Sequence, residues 1–180
     1  GLLSIATLLR DAGFRVKCLD TLTWLYFPPE EFSRFIRDSS PTLVGFYTIS
    51  DNIEAVRHLA RRIKEISPST LVVLGGPLAT IEGESLLSEP AFDIAVAGEG
   101  EETALRLASC LSKGEGLLEE IPGIVFKKDG RIKKNPPPPF IENLDSLPFP
   151  DYSLLGGARY TFHVVSGRGC PYRCSFCFQA

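Results

Sequence analysis

Three of the five cysteines in this 180-residue chain, Cys170, Cys174 and Cys177, lie together in the stretch Arg168-Gly-Cys-Pro-Tyr-Arg-Cys-Ser-Phe-Cys177. A structural zinc site closes a tetrahedron with four ligands, usually arranged as two pairs. The spacing C-x3-C-x2-C supplies three, so a zinc knuckle needs His163 or a residue outside this sequence to complete it. A redox Cys-x-x-Cys pair made of Cys174 and Cys177 leaves Cys170 without a role. Thiolates also favour iron–sulfur clusters, normally held by four cysteines. Three ligands on a four-iron cluster leave one iron open to an exogenous ligand.

Cys18 and Cys110 are the other thiols, and each falls inside an apolar element where a cysteine serves as a small core residue. With so few cysteines the chain is no disulfide scaffold, and clustered thiols in a reducing compartment serve metals or catalysis.

The elements that must position the loop read as an α/β domain. Residues 2–12 form a helix ended by Gly13, and Phe14–Leu19 alternates like a strand. Prolines and acids open a helix over 28–37. Thr42–Tyr47 is an apolar strand. The apolar positions Ile53, Val56, Leu59, Ala60, Ile63 and Ile66 then recur at helical spacing behind Asp51, a candidate cap. Continuous apolar runs at 70–74 and 93–97 close on Gly75-Gly76-Pro77 and Gly98, and a helix follows over about 101–113. Strands without polar alternation, separated by helices, predict a parallel sheet covered by helices on both faces.

After Gly114 the character changes. Ile121–Phe126 and Arg131–Lys134 predict a small hairpin around Lys128-Asp-Gly130, followed by the stiff tract Pro136–Pro139. The hairpin's Lys127, Lys128, Arg131, Lys133 and Lys134 read as a solvated surface. Tyr160–Ser166 reads as a strand delivering the cysteine loop. The expected organisation is a domain over 1–115, a hairpin and Pro-rich linker over 116–159, and the opening of a second domain over 160–180.

Composition agrees with a folded core: 44% of residues are apolar. The formal charge of −3 offers no basic field for nucleic acid. No apolar run reaches the roughly 20 residues needed to span a bilayer, and no leader pattern is visible, which predicts a cytoplasmic protein with neither nucleic acid nor membrane as partner. Gly1 opens inside a helix with no capping residue, the chain has no methionine, and it stops three residues after Cys177. These features predict a window on a longer chain that lacks the first strand of its sheet.

In a parallel α/β domain the ligand sits outside the carboxyl ends of the strands, so the turns after Tyr47, Leu74 and Ala97 should share one rim. They read Thr48-Ile-Ser-Asp51, Gly75-Gly-Pro-Leu-Ala-Thr80 and Gly98-Glu-Gly-Glu-Glu-Thr103. The acids of the last turn would repel a phosphate.

The cysteine spacing, with Phe176 just before the last cysteine, resembles the radical S-adenosylmethionine (SAM) superfamily. The resemblance extends upstream through Gly1-Leu-Leu-Ser-Ile-Ala6, Leu8-Leu-Arg-Asp-Ala-Gly13, Val44-Gly45, Val72-Val-Leu-Gly-Gly-Pro77, Gly98–Thr103, Ile121-Pro-Gly-Ile124, Leu144–Pro150 and Arg168–Cys174. In that order the chain is similar to radical SAM enzymes that carry a cobalamin-binding domain. The resemblance implies a flavodoxin-like (Rossmann-like) domain, a linker and the first strand and cluster loop of a (β/α) barrel. It implies that Cys170, Cys174 and Cys177 hold a 4Fe-4S cluster, that SAM chelates the fourth iron, and that Phe176 lies near the adenine. Reductive cleavage of SAM would release a 5′-deoxyadenosyl radical. Tyr47, Thr48, Ile49, Ser50, Gly75 and Gly76 would line the cleft for the cobalamin nucleotide tail, with Gly98, Glu99, Gly100 and Glu101 on the same rim.

The implied activity is methyl transfer to an unactivated centre, with cyclisation or rearrangement as the alternative and a non-catalytic iron–sulfur or zinc protein as the rival class. The implied partners are a small-molecule substrate and a reductase, flavodoxin or ferredoxin, as electron donor. Where the family carries Ser-x-Leu after a strand, this chain has Tyr47-Thr48-Ile49.

Overall fold

The computed structural model describes residues 1–19, 29–113, 116–156, 165, 167–172 and 174–177. Ten main elements alternate along the chain: α1 (Leu2–Asp11), α2 (Pro29–Ser39), β1 (Leu43–Tyr47), α3 (Ile53–Ile66), β2 (Leu71–Gly75), α4 (Pro77–Leu86), β3 (Ile94–Val96), α5 (Glu101–Lys113), β4 (Ile124–Lys128) and β5 (Arg131–Lys134). One five-stranded sheet runs in the order β1-β2-β3-β4-β5. Its first three strands are parallel, with Val44 opposite Val72, Phe46 opposite Leu74 and Val73 opposite Ile94.

Each strand side faces a separate apolar core, as the lack of polar alternation predicts. Val72, Leu74, Ala95 and Val125 pack with Phe32, Ile36, Val56, Ala60, Ile63, Ala79 and Leu86 of α2, α3 and α4. Val73, Ile94, Val96, Ile124 and Phe126 pack on the opposite side with Leu107 of α5. Helix α1 adds to that second side by packing on α5. Gly100 makes the approach possible, because a Cβ there would stand 3.0 Å from Cδ1 of Ile5.

The helix ends follow local chemistry. Gly13 adopts a φ of 91°, and the Phe14 N–H donates back to the Leu9 carbonyl at 3.0 Å, closing α1 as expected. Helix α3 begins one residue later than Asp51 suggests, with Asn52 at its N-cap.

Two expectations change. Phe14–Leu19 joins no strand ladder among the described residues. Alternation alone does not make a strand when no edge pairs with it; this segment instead sets the Lys17 ammonium over the Phe35 ring, 5.0 Å from its centroid. The hairpin forms but is no linker: β4 pairs antiparallel with β3, Ala95 opposite Val125 and Val96 opposite Ile124, and β5 completes the sheet. The run Ile124-Val-Phe126 is buried on both sides like β2, so its burial is what recruits the hairpin. The segment 157–164, which holds most of the expected strand at 160–166 and His163, lies outside the described residues.

The basic side chains of the hairpin meet the rest of the domain. Lys127 donates from Nζ to the Glu89 and Phe92 carbonyls at 2.8 and 2.7 Å. Lys128 pairs with Glu119 and Lys134 with Glu84. No helix among the described residues is long and apolar enough to cross a membrane.

Candidate functional site

The turns after β1, β2 and β3 lie together at the carboxyl end of the parallel strands, and hydrogen bonds stitch them into one rim. Thr48, fully buried, donates from its backbone N–H and from Oγ1 to the Gly75 carbonyl, at 2.7 and 2.9 Å. The Leu78 N–H donates to the Thr48 carbonyl at 3.2 Å. Thr80 Oγ1 donates to the Gly76 carbonyl at 3.0 Å and accepts from the Gly98 N–H at 3.1 Å. Asn52 holds the first turn: its amide oxygen accepts from the Ile49 N–H and its amide nitrogen donates to the Tyr47 carbonyl.

Gly76 is the residue that the packing of this rim requires. Its φ is 97°, and a Cβ there would stand 2.9 Å from the Thr48 carbonyl oxygen and 2.9 Å from Cδ2 of Tyr47. Both the left-handed backbone and the space exclude a side chain. Gly75 differs, because its Cβ would meet nothing closer than the Phe46 carbonyl oxygen at 3.9 Å. Tyr47 and Ser50 are exposed, Ile49, Gly75 and Gly76 half-buried, and Gly98 exposed. A shallow cavity lined by Ala79, Thr80, Gly83, Ala97, Val125 and Lys134 opens beside the rim.

The segment after the hairpin is strapped across this end of the molecule. The Gly123 N–H donates to the Pro136 carbonyl at 2.7 Å, and Pro138 packs against Gly123 and Gly98. The Ile141 N–H donates to Glu99 Oε2 at 2.6 Å. Farther on, the Asp151 N–H donates to Thr7 Oγ1 at 2.9 Å, and the Asp151 carboxylate pairs with Arg10. Hydrogen bonds from Ser153 and Arg10 lower the Asp151 pKa to about 2.

Arg168, two positions before Cys170, reaches back to the third turn. Its guanidinium donates to Glu101 Oε1 at 2.5 Å, to Glu101 Oε2 at 3.2 Å and to Glu99 Oε1 at 3.0 Å. These bonds, first those to Glu101, raise the Arg168 pKa. The carboxylates of Glu99 and Glu101, expected on the rim, are thus bound to protein donors. The acidity of Gly98–Thr103 also has the partner that its sequence alone did not reveal.

The cysteine loop beyond Arg168 is open. Cys170 and Cys174 are exposed and Cys177 half-buried, all as free thiols, and the Cys177 N–H donates to the Cys174 carbonyl at 3.0 Å. Phe176 is 90% exposed. Among the described residues no three His, Cys, Asp or Glu side chains converge closely enough to hold a metal ion. The loop gathers the right donor atoms on one short segment without converging their sulfurs. Burial pushes the Cys18 thiol pKa up, as suits a cysteine inside an apolar element, and Cys110 packs against the core on the α5 side.

Asn52, Thr80 and Arg168 are the rim residues that sequence reasoning left without roles. An amide or hydroxyl five residues past a strand's carboxyl end is the signal that marks the first two.

A rim of this kind, on a sheet with helices on both faces, is the ligand-binding end of a Rossmann-like domain. The chain belongs to the B12-binding domain family, whose model matches residues 1–108. It is 34% identical over 98% of its length to an uncharacterized methyltransferase of Pyrococcus horikoshii. It is 31% identical over 99% of its length to an anaerobic magnesium-protoporphyrin IX monomethyl ester cyclase of Synechocystis. The chain spans 39% and 37% of those two relatives. Among solved structures, the radical SAM methyltransferase TsrM of Kitasatospora setae, with cobalamin and a [4Fe-4S] cluster bound, matches with a TM-score of 0.73 at 20% identity, over 99% of this chain and 38% of that one. That likeness shows the shared fold.

Proposed function

We infer that this chain is the cobalamin-binding and cluster-loop part of a radical SAM enzyme that transfers a methyl group to an unactivated centre of a small molecule. The observation that carries this reading is the loop Cys170-x3-Cys174-x2-Cys177 anchored, through Arg168, to the rim of a B12-binding domain. The donor chemistry fits a 4Fe-4S cluster: three free thiols on one segment, with no competing disulfide. The rim fits a flat macrocycle with a nucleotide tail, offering the glycine backbone of Gly75-Gly76, the exposed face of Tyr47 and the turns of Thr48–Ser50 and Gly98–Gly100.

In this reading the chain's own residues bind and orient. Cys170, Cys174 and Cys177 hold the cluster, and Phe176 offers an aromatic face beside SAM. Thr48, Asn52 and Thr80 keep the three rim turns in one arrangement. The cluster supplies one-electron chemistry to SAM, and cobalamin serves as methyl carrier. A reductase, flavodoxin or ferredoxin, is the proposed electron donor, and the cytoplasm the proposed compartment.

Cyclisation is the second reading, favoured by the 31% identity to the cyclase. The test uses the full protein, reconstituted anaerobically. Binding of one cobalamin and about four irons per chain, with SAM altering the electron paramagnetic resonance spectrum, is expected. With SAM labelled at its methyl group, label in the product supports methyl transfer, and 5′-deoxyadenosine without label transfer supports the cyclase reading. Stoichiometric zinc with no response to SAM overturns both.

A further inference from the structure

The two carboxylates on the third rim turn are differently placed. The Glu101 side chain is 4% exposed and that of Glu99 16% exposed. A carboxylate so buried is costly unless a cation and hydrogen bonds compensate it. Arg168 meets both Glu101 oxygens with its planar fork, and Nη1, which takes one of them, also reaches Glu99. The other Glu99 oxygen takes the Ile141 N–H, and Pro138 lies against Gly98. One turn therefore receives the cysteine loop and the strap together.

We propose that Glu99 and Glu101 form a carboxylate clamp for Arg168 that seats the cysteine loop on the cofactor rim, which makes Arg168 a positioning residue. Its purpose rests on the function inferred above. The clamp fixes the distance between the thiols and the turns after β1 and β2, so that the SAM site and the methyl carrier face each other. Arginine suits this task because its fork engages two oxygens in one plane, whereas lysine offers a point charge. The clamp also explains why the rim carries acids at all, since acids there weaken binding of a phosphate group.

The test measures hydrogen–deuterium exchange in the full protein, with and without its cofactors. Arg168→Gln and Glu101→Gln are each expected to speed exchange of the amides in 167–177 by about tenfold, while β1, β2 and β3 stay protected. The double variant should add nothing, as for two ends of one contact. Arg168→Lys should fall between, and Glu99→Gln should give a smaller effect, about threefold, in the same amides. If Glu101→Gln loosens the whole sheet, Glu99→Gln and the arginine variants still decide the matter. Unchanged loop exchange in those variants, or additive effects in the double variant, overturns the clamp.

A second readout separates positioning from mere folding. In Arg168→Gln the 5′-deoxyadenosine formed per methyl transferred should rise several-fold while SAM cleavage persists. An unchanged ratio removes the positioning role. If the parent protein neither binds iron nor cleaves SAM, the inferred function falls, yet exchange still tests the clamp. If the parent is active and its variants exchange like the parent, the clamp falls alone.

Discussion

At the carboxyl rim protein atoms tie neighbouring turns, Thr48 to Gly75 and Thr80 to Gly98, and Asn52 closes the first turn onto Tyr47. Thr48 is inaccessible there, whereas Phe176 in the cysteine loop is 90% exposed. The loop's described anchors are the arginine clamp and one backbone hydrogen bond between its own cysteines. The rim is held in place by the protein's own hydrogen bonds. Under the proposed function the cluster would draw the loop's three thiols together, as is usual for metal sites whose ligands share one short segment. The rim is thus tied together by several internal hydrogen bonds, and the cysteine loop is held by few among the described residues.

The strongest way to break this comparison is to remove one thiol. Cys174→Ala in the full protein should reduce iron from about four per chain to background and abolish the response to SAM. Cobalamin binding should be retained, because the described hydrogen bonds between loop and rim run through Arg168 and not through Cys174. Iron retained, or cobalamin lost with the iron, contradicts the division into two independently organised sites.

The converse change acts on the rim. Gly76→Ala forces a side chain into a left-handed position and against the Thr48 carbonyl and Tyr47 ring, so a loss of about 2 kcal/mol is expected from strain and contact together. Gly75→Ala lacks both problems and should cost only about 0.5 kcal/mol. Urea unfolding measures both. Equal costs would show that the rim tolerates what its geometry forbids. Cobalamin affinity should fall in Gly76→Ala with iron content unchanged.

Legibility differed between the same two regions for a physical reason. The helices over 53–66 and 101–113 and the parallel strands were readable because apolar spacing records burial, and the cysteine spacing records donor count. The hairpin was read as a linker because the run Ile124-Val-Phe126 looks the same whether it pairs locally or joins a distant strand. Its partner β3 is separated from it by the whole of α5, beyond the reach of local pattern. Phe14–Leu19 failed in the opposite direction, since alternation describes a strand's faces and says nothing about an available edge. The Arg168 clamp joins residues 67 and 69 positions apart, a separation that no local spacing encodes. Asp51 and Asn52 are both good caps by residue type, and the contact that decides for Asn52 runs back to Tyr47.

A smaller effect concerns the strap that leads toward the loop. The Asp151 carboxyl, stabilised as an anion by Ser153 and Arg10, has its pKa lowered from an ordinary 3.8 to about 2. A lowered folded-state pKa contributes stability that is complete above the unfolded value and disappears as pH falls through the folded one. Asp151→Asn should therefore be less stable than the parent at neutral pH, with the difference closing between about pH 4 and about pH 2. Because the carboxylate is only partly buried, a small shift in unfolding midpoint is expected. A difference that stays constant across this window would show that Arg10 and Ser153 do not act on the charged form.

The smallest expected effect is none, and it concerns the cobalt. His58 lies on α3, which starts just past the rim, so proximity along the chain nominates it as a ligand from below the corrin ring. Its position on the helix argues otherwise. The buried stripe of α3 runs through Val56, Ala60 and Ile63, and His58 stands about 200° around the helix from Val56. The side chain is exposed. A histidine ligand needs its ring aimed into the cleft and its second nitrogen held by an acceptor, and an exposed position on the outer helix face provides neither. His58→Ala should leave the cob(II)alamin electron paramagnetic resonance spectrum unchanged, without nitrogen superhyperfine splitting in either protein. Splitting present in the parent and lost on this substitution would place His58 on cobalt. It would also mean that the rim rearranges around its cofactor, contrary to the arrangement its hydrogen bonds hold.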